Sequence, residues 1–167
     1  MSGNTQRASM PVQVIDAPTD FSDWDGLMRL LNAAFAHQAD RIDPPSSVHR
    51  LDPASIAVKA RHERLFLAFE NDRLVGCIFA KSLGSAMYVG KLAVCPSMQG
   101  QGIGRALMAA AEAFARRTKH DALQLDVRIE LTENHASFAA LGFVKIGEHA
   151  HEGYDRATCI SMKKALA

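Results

Sequence analysis

One stretch beyond the middle of the chain, residues 87–118, constrains the fold more than any other. It begins with an apolar run rich in β-forming residues, 87–94, which predicts a buried strand. Pro96 and Ser97 end that strand, because proline has no N–H to donate to a neighbouring strand. Apolar side chains then recur at helical spacing, at Ile103, Leu107, Ala110, Ala111 and Phe114. The sequence therefore predicts a strand, a glycine-rich turn and a helix.

The turn itself, residues 99–104, contains three alternating glycines at the start of the predicted helix: Gly100, Gly102 and Gly104. The first amides of a helix have no intrahelical acceptor and lie at the positive end of the helix dipole. Glycine lets a ligand approach those amides closely. A turn that only serves packing is the alternative, but each glycine would then cost about 0.5–1 kcal/mol without return. The turn therefore predicts a phosphate or pyrophosphate site.

Three known phosphate-binding patterns compete for this turn, and two do not fit. A P-loop requires Lys-Ser or Lys-Thr after its last glycine, where this chain has Arg105 and Ala106. A dinucleotide fingerprint requires GxGxxG near the start of a βαβ unit, whereas the spacing here is GxGxG. The run from Gln99 to Gly104 resembles the pyrophosphate loop of the GCN5-related N-acetyltransferase (GNAT) family, Gln/Arg-x-x-Gly-x-Gly/Ala.

The order of predicted elements resembles the same family. Strands are predicted at residues 12–15, 65–69, 74–81, 87–94, 122–128, 143–147 and 157–162. Helices are predicted after a cap at Ser22, at 55–61, from 103 to about 118, and at 133–142. The resemblance implies an α+β (α/β) fold: a central mixed, mostly antiparallel twisted sheet of six to seven strands, with helices on both faces. We expect a disordered tail at 1–10 and a single N-acetyltransferase domain at 11–165.

The resemblance also implies a co-substrate, acetyl-CoA, and transfer of its acetyl group to a primary amine by direct attack. The strands at 87–94 and 122–128 would splay so that the pantetheine arm fits between them. The implied cofactor-binding residues are Leu92, Ala93, Val94, Gln99, Gly100, Gln101, Gly102, Ile103, Gly104, Arg105 and Asn134. For Asn134, a plain helix N-cap is an equally good interpretation. The polar connector at 40–53 would help to shape the acceptor pocket, or would be an ordinary surface loop.

The catalytic residues are less clearly marked. Many GNAT members carry a tyrosine as general acid four residues before the glycine of a Gly-Phe pair, and this chain has Phe138 there. The spacing from Asn134 to the glycine of that pair is also about one helical turn shorter than the common pattern. Glu133, which could act as general base, and Tyr154, in the predicted last hairpin, are the candidate catalytic residues. The alternative for both is a solvated surface position.

Composition limits the other functional classes. A formal net charge of +1 gives no field that would select nucleic acid or an anionic membrane. The chain also lacks the run of about 18 apolar residues that a membrane span needs. Cys77 and Cys159 lie in apolar, strand-like runs, which predicts buried thiols. An odd number of cysteines without metal-ligand spacing indicates a reducing, cytoplasmic location and no metal. The resemblance implies acetyl-CoA and an amine as partners, with a homodimer possible by analogy. Phe138 leaves open a non-catalytic acyl-CoA-binding sensor or regulatory module.

Overall fold

A computed structural model describes residues 11–166 and contains a sheet flanked by helices; the predicted tail at 1–10 lies outside the described residues. The strands are β1 (Val12–Asp16), β2 (Arg64–Glu70), β3 (Arg73–Leu83), β4 (Ala86–Val94), β5 (Ala122–Arg128), β6 (Val144–His149) and β7 (Cys159–Ala165). The helices are α1 (Trp24–Phe35), α2 (Pro53–His62), α3 (Ile103–Arg117) and α4 (Thr132–Ala140). None of the helices between residues 11 and 166 has the length and hydrophobicity that crossing a bilayer requires.

The described strands form one seven-stranded sheet in the order β1-β2-β3-β4-β5-β7-β6. Every neighbouring pair is antiparallel except β4 and β5, which are parallel. The predicted mixed, mostly antiparallel sheet is therefore confirmed. The last two strands pair with each other as predicted.

The sheet separates two apolar cores. On one face α1 and α2 bury Leu27, Leu31 and Ile56 against β2 and β3. On the other face α3 buries Leu107 and Ala111 against the centre of the sheet. Residues 65–68 of β2 are all buried, because that strand is covered on both faces. Helices on both faces, and the burial of the thiols of Cys77 and Cys159, are as the sequence predicted.

Three helix starts differ from the prediction. The carboxylate of Asp23, not Ser22, caps α1 by accepting the amide of Gly26 at 3.0 Å. Helix α2 begins at Pro53, before the predicted residue 55, because Asp52 and Ser55 form a reciprocal capping box at its start. Helix α4 has Leu131 as its N-cap, so capping does not account for Asn134.

A gap opens between β4 and β5. These strands pair only at Ala86–Ala122, Met87–Leu123 and Tyr88–Gln124, and beyond that point they diverge. A register shift between β3 and β4 lies nearby, and Lys91 adopts a positive φ of 52° there. Such bulges bend a strand and increase its twist. The gap leaves the facing edges of β4 and β5 unpaired towards their carboxyl ends, as the splayed strands of the prediction require.

Candidate active site

The glycine turn leads directly into the start of α3. Gly100 and Gly102 have φ values of +79° and +83°, a region that glycine adopts without strain. Gly102 is the N-cap, and no described side chain caps the helix. The first hydrogen bond of α3 runs from the amide of Ala106 to the carbonyl of Gly102, at 3.0 Å. The amides of residues 103–105 therefore precede the helical hydrogen-bond ladder and are available to an anion.

A cavity of about 340 Å³ lies between the end of β4, the start of α3 and α4. It brings together seven of the predicted cofactor residues: Leu92, Ala93, Val94, Gln99, Gly104, Arg105 and Asn134. The first three belong to the unpaired part of β4, and Asn134 approaches from the first turn of α4. Residues within 34–38, at and after the end of α1, line the cavity as well, so four separate stretches of the chain share one cleft beside the open edge of β4.

The four remaining predicted cofactor residues do not line that cavity. Gly100, Gln101 and Gly102 are exposed in the turn. Ile103 is only 3% exposed and its side chain belongs to the core on the α3 face. Only the backbone of Ile103 can therefore contact a ligand.

Phe138 lines the same cavity from α4. Its ring lies 6.0 Å from that of Phe143, centroid to centroid, in an edge-to-face arrangement. The aromatic ring contributes apolar surface and has no proton to donate. The position at which many family members carry a tyrosine is thus part of the wall of the cleft.

Glu133 and Tyr154, the predicted catalytic residues, are not among the residues that line the cavity. Both side chains instead contact the polar connector, which begins at residue 40 and ends at residue 52, before α2. The Glu133 carboxylate accepts two hydrogen bonds from Arg41, one of them from Nη2 to Oε2 at 2.9 Å, and this pairing lowers the pKa of Glu133 to about 2. The Tyr154 hydroxyl donates to Oδ1 of Asp43 at 2.6 Å, which raises the pKa of the phenol. Glu133 is therefore a weak base and Tyr154 a phenol that stays protonated.

The connector is fastened at further points. Arg156 pairs with Oδ2 of Asp43 at 3.2 Å. Arg128, at the end of β5, donates to the carbonyls of Pro44 and Pro45 at 2.7 and 3.0 Å. The connector thus contacts β5, α4 and the loop before β7, rather than lying free as an ordinary surface loop would.

A polar cluster on the face of the sheet opposite α3 was not recognised from the sequence. The carboxylate of Asp126 accepts from the hydroxyls of Tyr88, at 3.1 Å, and Ser161, at 2.7 Å. Burial and then the charge of Asp126 raise the pKa of Tyr88, so its phenol remains a donor. Asp126 alternates along β5 with the buried Leu125 and Val127, which places it on the opposite face, and its two partners come from two other strands.

A larger cavity of about 770 Å³ lies elsewhere, beside the start of β2 and the end of α3. Phe21, Trp24 and Phe114 are among its lining residues. It contains none of the predicted site residues, so volume alone does not identify the functional cleft.

Comparison with solved structures establishes the fold. The acetyltransferase from Streptococcus agalactiae 2603 matches with a TM-score of 0.72 and 20% identity, over 93% of this chain and 98% of that chain. The PaiA N-acetyltransferase from Thermoplasma acidophilum, solved in complex with coenzyme A, matches with a TM-score of 0.76 and 15% identity, over 94% and 100% of the two chains. The ribosomal-protein-S18-alanine N-acetyltransferase from Escherichia coli matches with a TM-score of 0.68 and 17% identity, over 94% of this chain and 95% of that chain. No curated protein matches this sequence.

The family comparison covers most of the chain. The model of the Acetyltransferase (GNAT) family matches residues 24–143, from the start of α1 to Phe143. That range includes the glycine turn, the splayed strands and α4. The chain therefore belongs to the GNAT family of acetyltransferases and is an acyltransferase of the class EC 2.3.1.

Proposed function

We propose that residues 11–165 form a single N-acetyltransferase domain that moves an acetyl group from acetyl-CoA to a primary amine. The acceptor is a small molecule or a peptide, and its amine attacks the thioester directly. One observation carries the proposal. The uncapped amides of residues 103–105 begin α3 beside the cleft that the unpaired part of β4 lines.

The residues of the cleft suit the parts of acetyl-CoA. The turn from Gln99 to Arg105 offers backbone amides and a guanidinium to the pyrophosphate. The backbone of Leu92, Ala93 and Val94 offers hydrogen-bonding groups along a strand edge to the pantetheine arm. Asn134 offers a side-chain amide from the opposite wall. When bound, acetyl-CoA supplies the activated acetyl group, and a β4 amide placed at its carbonyl would stabilise developing negative charge.

The acceptor approaches from the face of the sheet opposite α3, through the gap between β4 and β5. That face carries the polar cluster of Tyr88, Asp126 and Ser161. An amine must lose a proton before or during attack, and a carboxylate or water within hydrogen-bond reach can take it. Glu133 and Tyr154 remain the predicted catalytic residues, although their partners in the connector also fit them for positioning it.

The first experiment is calorimetric titration with acetyl-CoA, followed by release of free CoA in the presence of a panel of primary amines. Binding in the micromolar range and CoA release that depends on the amine are expected. No binding at millimolar acetyl-CoA would contradict the proposal. Binding without turnover on any amine would favour the acyl-CoA sensor, for which the specific observation is the missing hydroxyl at Phe138.

A further inference from the structure

Three basic side chains converge on the acceptor face, and we call them the cationic cluster: Arg50, Lys91 and Arg128. Lys91 lies in the bulged part of β4, and its ammonium donates to Oγ of Ser47. Arg128 donates to the carbonyls of Pro44 and Pro45 at the end of β5. Pro45 and Ser47 are two residues apart, so their Cα atoms lie within about 7 Å of each other. The two side chains therefore reach the same short segment of the connector.

The third member, Arg50, belongs to the same segment. It is the last residue of a short 3₁₀ helix, Ser47–Arg50, that contains the Lys91 partner. Its positive charge acts on both Lys91 and His151, as does that of Arg128. The connector thus brings the charge of Arg50 close enough to act on Lys91, as the charge of Arg128 also does.

The carboxylates near this cluster have other partners, and Glu130, two residues after Arg128, lies 3.8 Å from Arg156. Glu63 pairs with Lys59 at 2.6 Å. Asp43 pairs with Arg156, at 3.2 Å, and Asp126 accepts from two hydroxyls. Within residues 11–166, Arg50, Lys91 and Arg128 form no ion pair with a carboxylate. The positive charges of the cluster are therefore not neutralised by a direct ion pair.

Holding these positive charges close together costs free energy. Burial, and then the charges of Lys59, Arg50 and Arg128, lower the pKa of Lys91 to about 8, while Glu63 acts in the opposite direction. Like charges disfavour one another's charged forms, and a bound anion would relieve that repulsion. Arginine and lysine together are well suited to hold carboxylate or phosphate oxygens by charge-assisted hydrogen bonds.

We propose that the amine acceptor of this enzyme carries an anionic group, a carboxylate or a phosphate, that binds the cationic cluster. The inference rests on the proposed function, which places the acceptor on this face. The anion would orient the acceptor towards the gap, while the same positive charges would favour the neutral, nucleophilic form of its amine over the ammonium form.

The first test compares turnover of matched amines. The carboxylate pair is β-alanine against β-alaninamide, and the phosphate pair is O-phosphoethanolamine against ethanolamine. We expect kcat/KM to favour the anionic member of at least one pair by about tenfold or more. Which pair shows the preference distinguishes a carboxylate from a phosphate. Ratios near or below one in both pairs would overturn the inference.

Variants assign the preference to the cluster. Arg50→Gln is the primary variant because Arg50 is exposed, and Lys91→Gln is the second. Both are expected to move the anionic-to-neutral ratio of kcat/KM towards one, whereas Arg50→Lys keeps most of it. Arg29→Gln is the matched control, since Arg29 is an exposed arginine on α1 and its loss changes the net charge equally. A preference that Arg50→Gln and Lys91→Gln both leave unchanged would also overturn the inference.

A binding measurement separates failure of this inference from failure of the proposed function. Sodium phosphate and sodium acetate are titrated into the CoA complex at constant ionic strength, so that CoA occupies the α3 site. Binding that Arg50→Gln weakens and Arg29→Gln does not would support the cluster. If CoA does not bind and no amine reacts, the proposed function fails. Titration of acetate into the free protein then still tests whether the cationic cluster binds an anion. If amines react but neither anion binds, only this inference fails.

Discussion

At the scale of single residues, Gly102 is the N-cap of α3, whose first amides are the proposed pyrophosphate site. Its φ is +83°, and a Cβ added there would meet no atom within 4 Å. Gly84, in the turn between β3 and β4, is equally open at a φ of +60°. The two glycines therefore carry similar backbone strain on substitution, but only Gly102 begins α3.

We expect Gly102→Ala and Gly84→Ala each to lower the free energy of unfolding by about 1–2 kcal/mol, the penalty for a left-handed residue with a Cβ. Only Gly102→Ala should also weaken CoA binding, by about tenfold, since its Cβ would stand where the pyrophosphate approaches the amides. Denaturant unfolding and calorimetry measure the two effects. Equal CoA affinity in both variants would remove the glycine turn from the binding site.

One pair of variants can distinguish two roles of Glu133: general base in catalysis, or partner of Arg41 that holds the connector in place. The ion pair with Arg41 holds the pKa of Glu133 at about 2, so its carboxylate stays ionised throughout the range in which enzymes are assayed. We expect Glu133→Gln and Arg41→Gln to have similar effects, mainly a higher KM for the amine, because each breaks the same contact. General base catalysis contributes about 10²–10⁴-fold. A loss of that size in kcat for Glu133→Gln alone would make Glu133 the base.

The charge of Lys91 should appear in the pH dependence of stability. The pKa falls from 10.5 to about 8 on folding, through burial and the positive charges of Lys59, Arg50 and Arg128, against the opposing charge of Glu63. The unfolded chain therefore binds more protons between these values, and stability rises with pH across that interval. Lys91→Met lacks this contribution.

We therefore expect Lys91→Met to be more stable than the parent protein at pH 7, with an advantage that shrinks as pH rises from 8 to 10.5. The measurement is denaturant unfolding at several pH values, and taking the difference cancels the titration of other groups. An advantage that stays constant with pH would mean that Lys91 does not titrate in this interval.

At the scale of elements, the start of α1 allows a direct comparison of two adjacent residues. The sequence predicted Ser22 as the cap, but the carboxylate of Asp23 is the group that accepts a hydrogen bond from the amide of Gly26. Loss of an N-cap side chain costs about 1 kcal/mol. We expect Asp23→Ala to lower the free energy of unfolding by that amount, and Ser22→Ala to change it by less than half as much. The reverse order, measured by denaturant unfolding, would restore Ser22 as the cap.

Elements set by local patterns were predictable, and those set by distant contacts were not. The strand, turn and helix at 86–117 follow from an apolar β-forming run, glycines and a period of 3.6 residues, which are all patterns of neighbouring positions. The contacts of the connector join residues far apart in sequence. Arg128 and Pro44 are separated by 84 positions, and Tyr154 and Asp43 by 111. No local pattern encodes such pairs, so the polar and cationic clusters appeared only in the folded chain.

At the scale of the whole molecule, the connector contacts four separate parts of the fold. It contacts α4 through Arg41, the loop before β7 through Asp43, β5 through Pro44 and β4 through Ser47. These polar contacts hold the connector near the gap on the proposed acceptor face. Loosening one of them should disturb acceptor binding more than the stability of the fold.

Asp43 is the best place to test this, because one carboxylate serves both Tyr154 and Arg156. We expect Asp43→Ala to speed hydrogen exchange of the amides in residues 40–50 and to raise KM for the amine, with CoA affinity unchanged. The free energy of unfolding should fall by less than about 1 kcal/mol, as for other exposed ion pairs. Glu148→Ala is the matched control, since it breaks an exposed pair with Lys145 within β6. If both variants left exchange in the connector and KM unchanged, the connector would have no part in placing the acceptor.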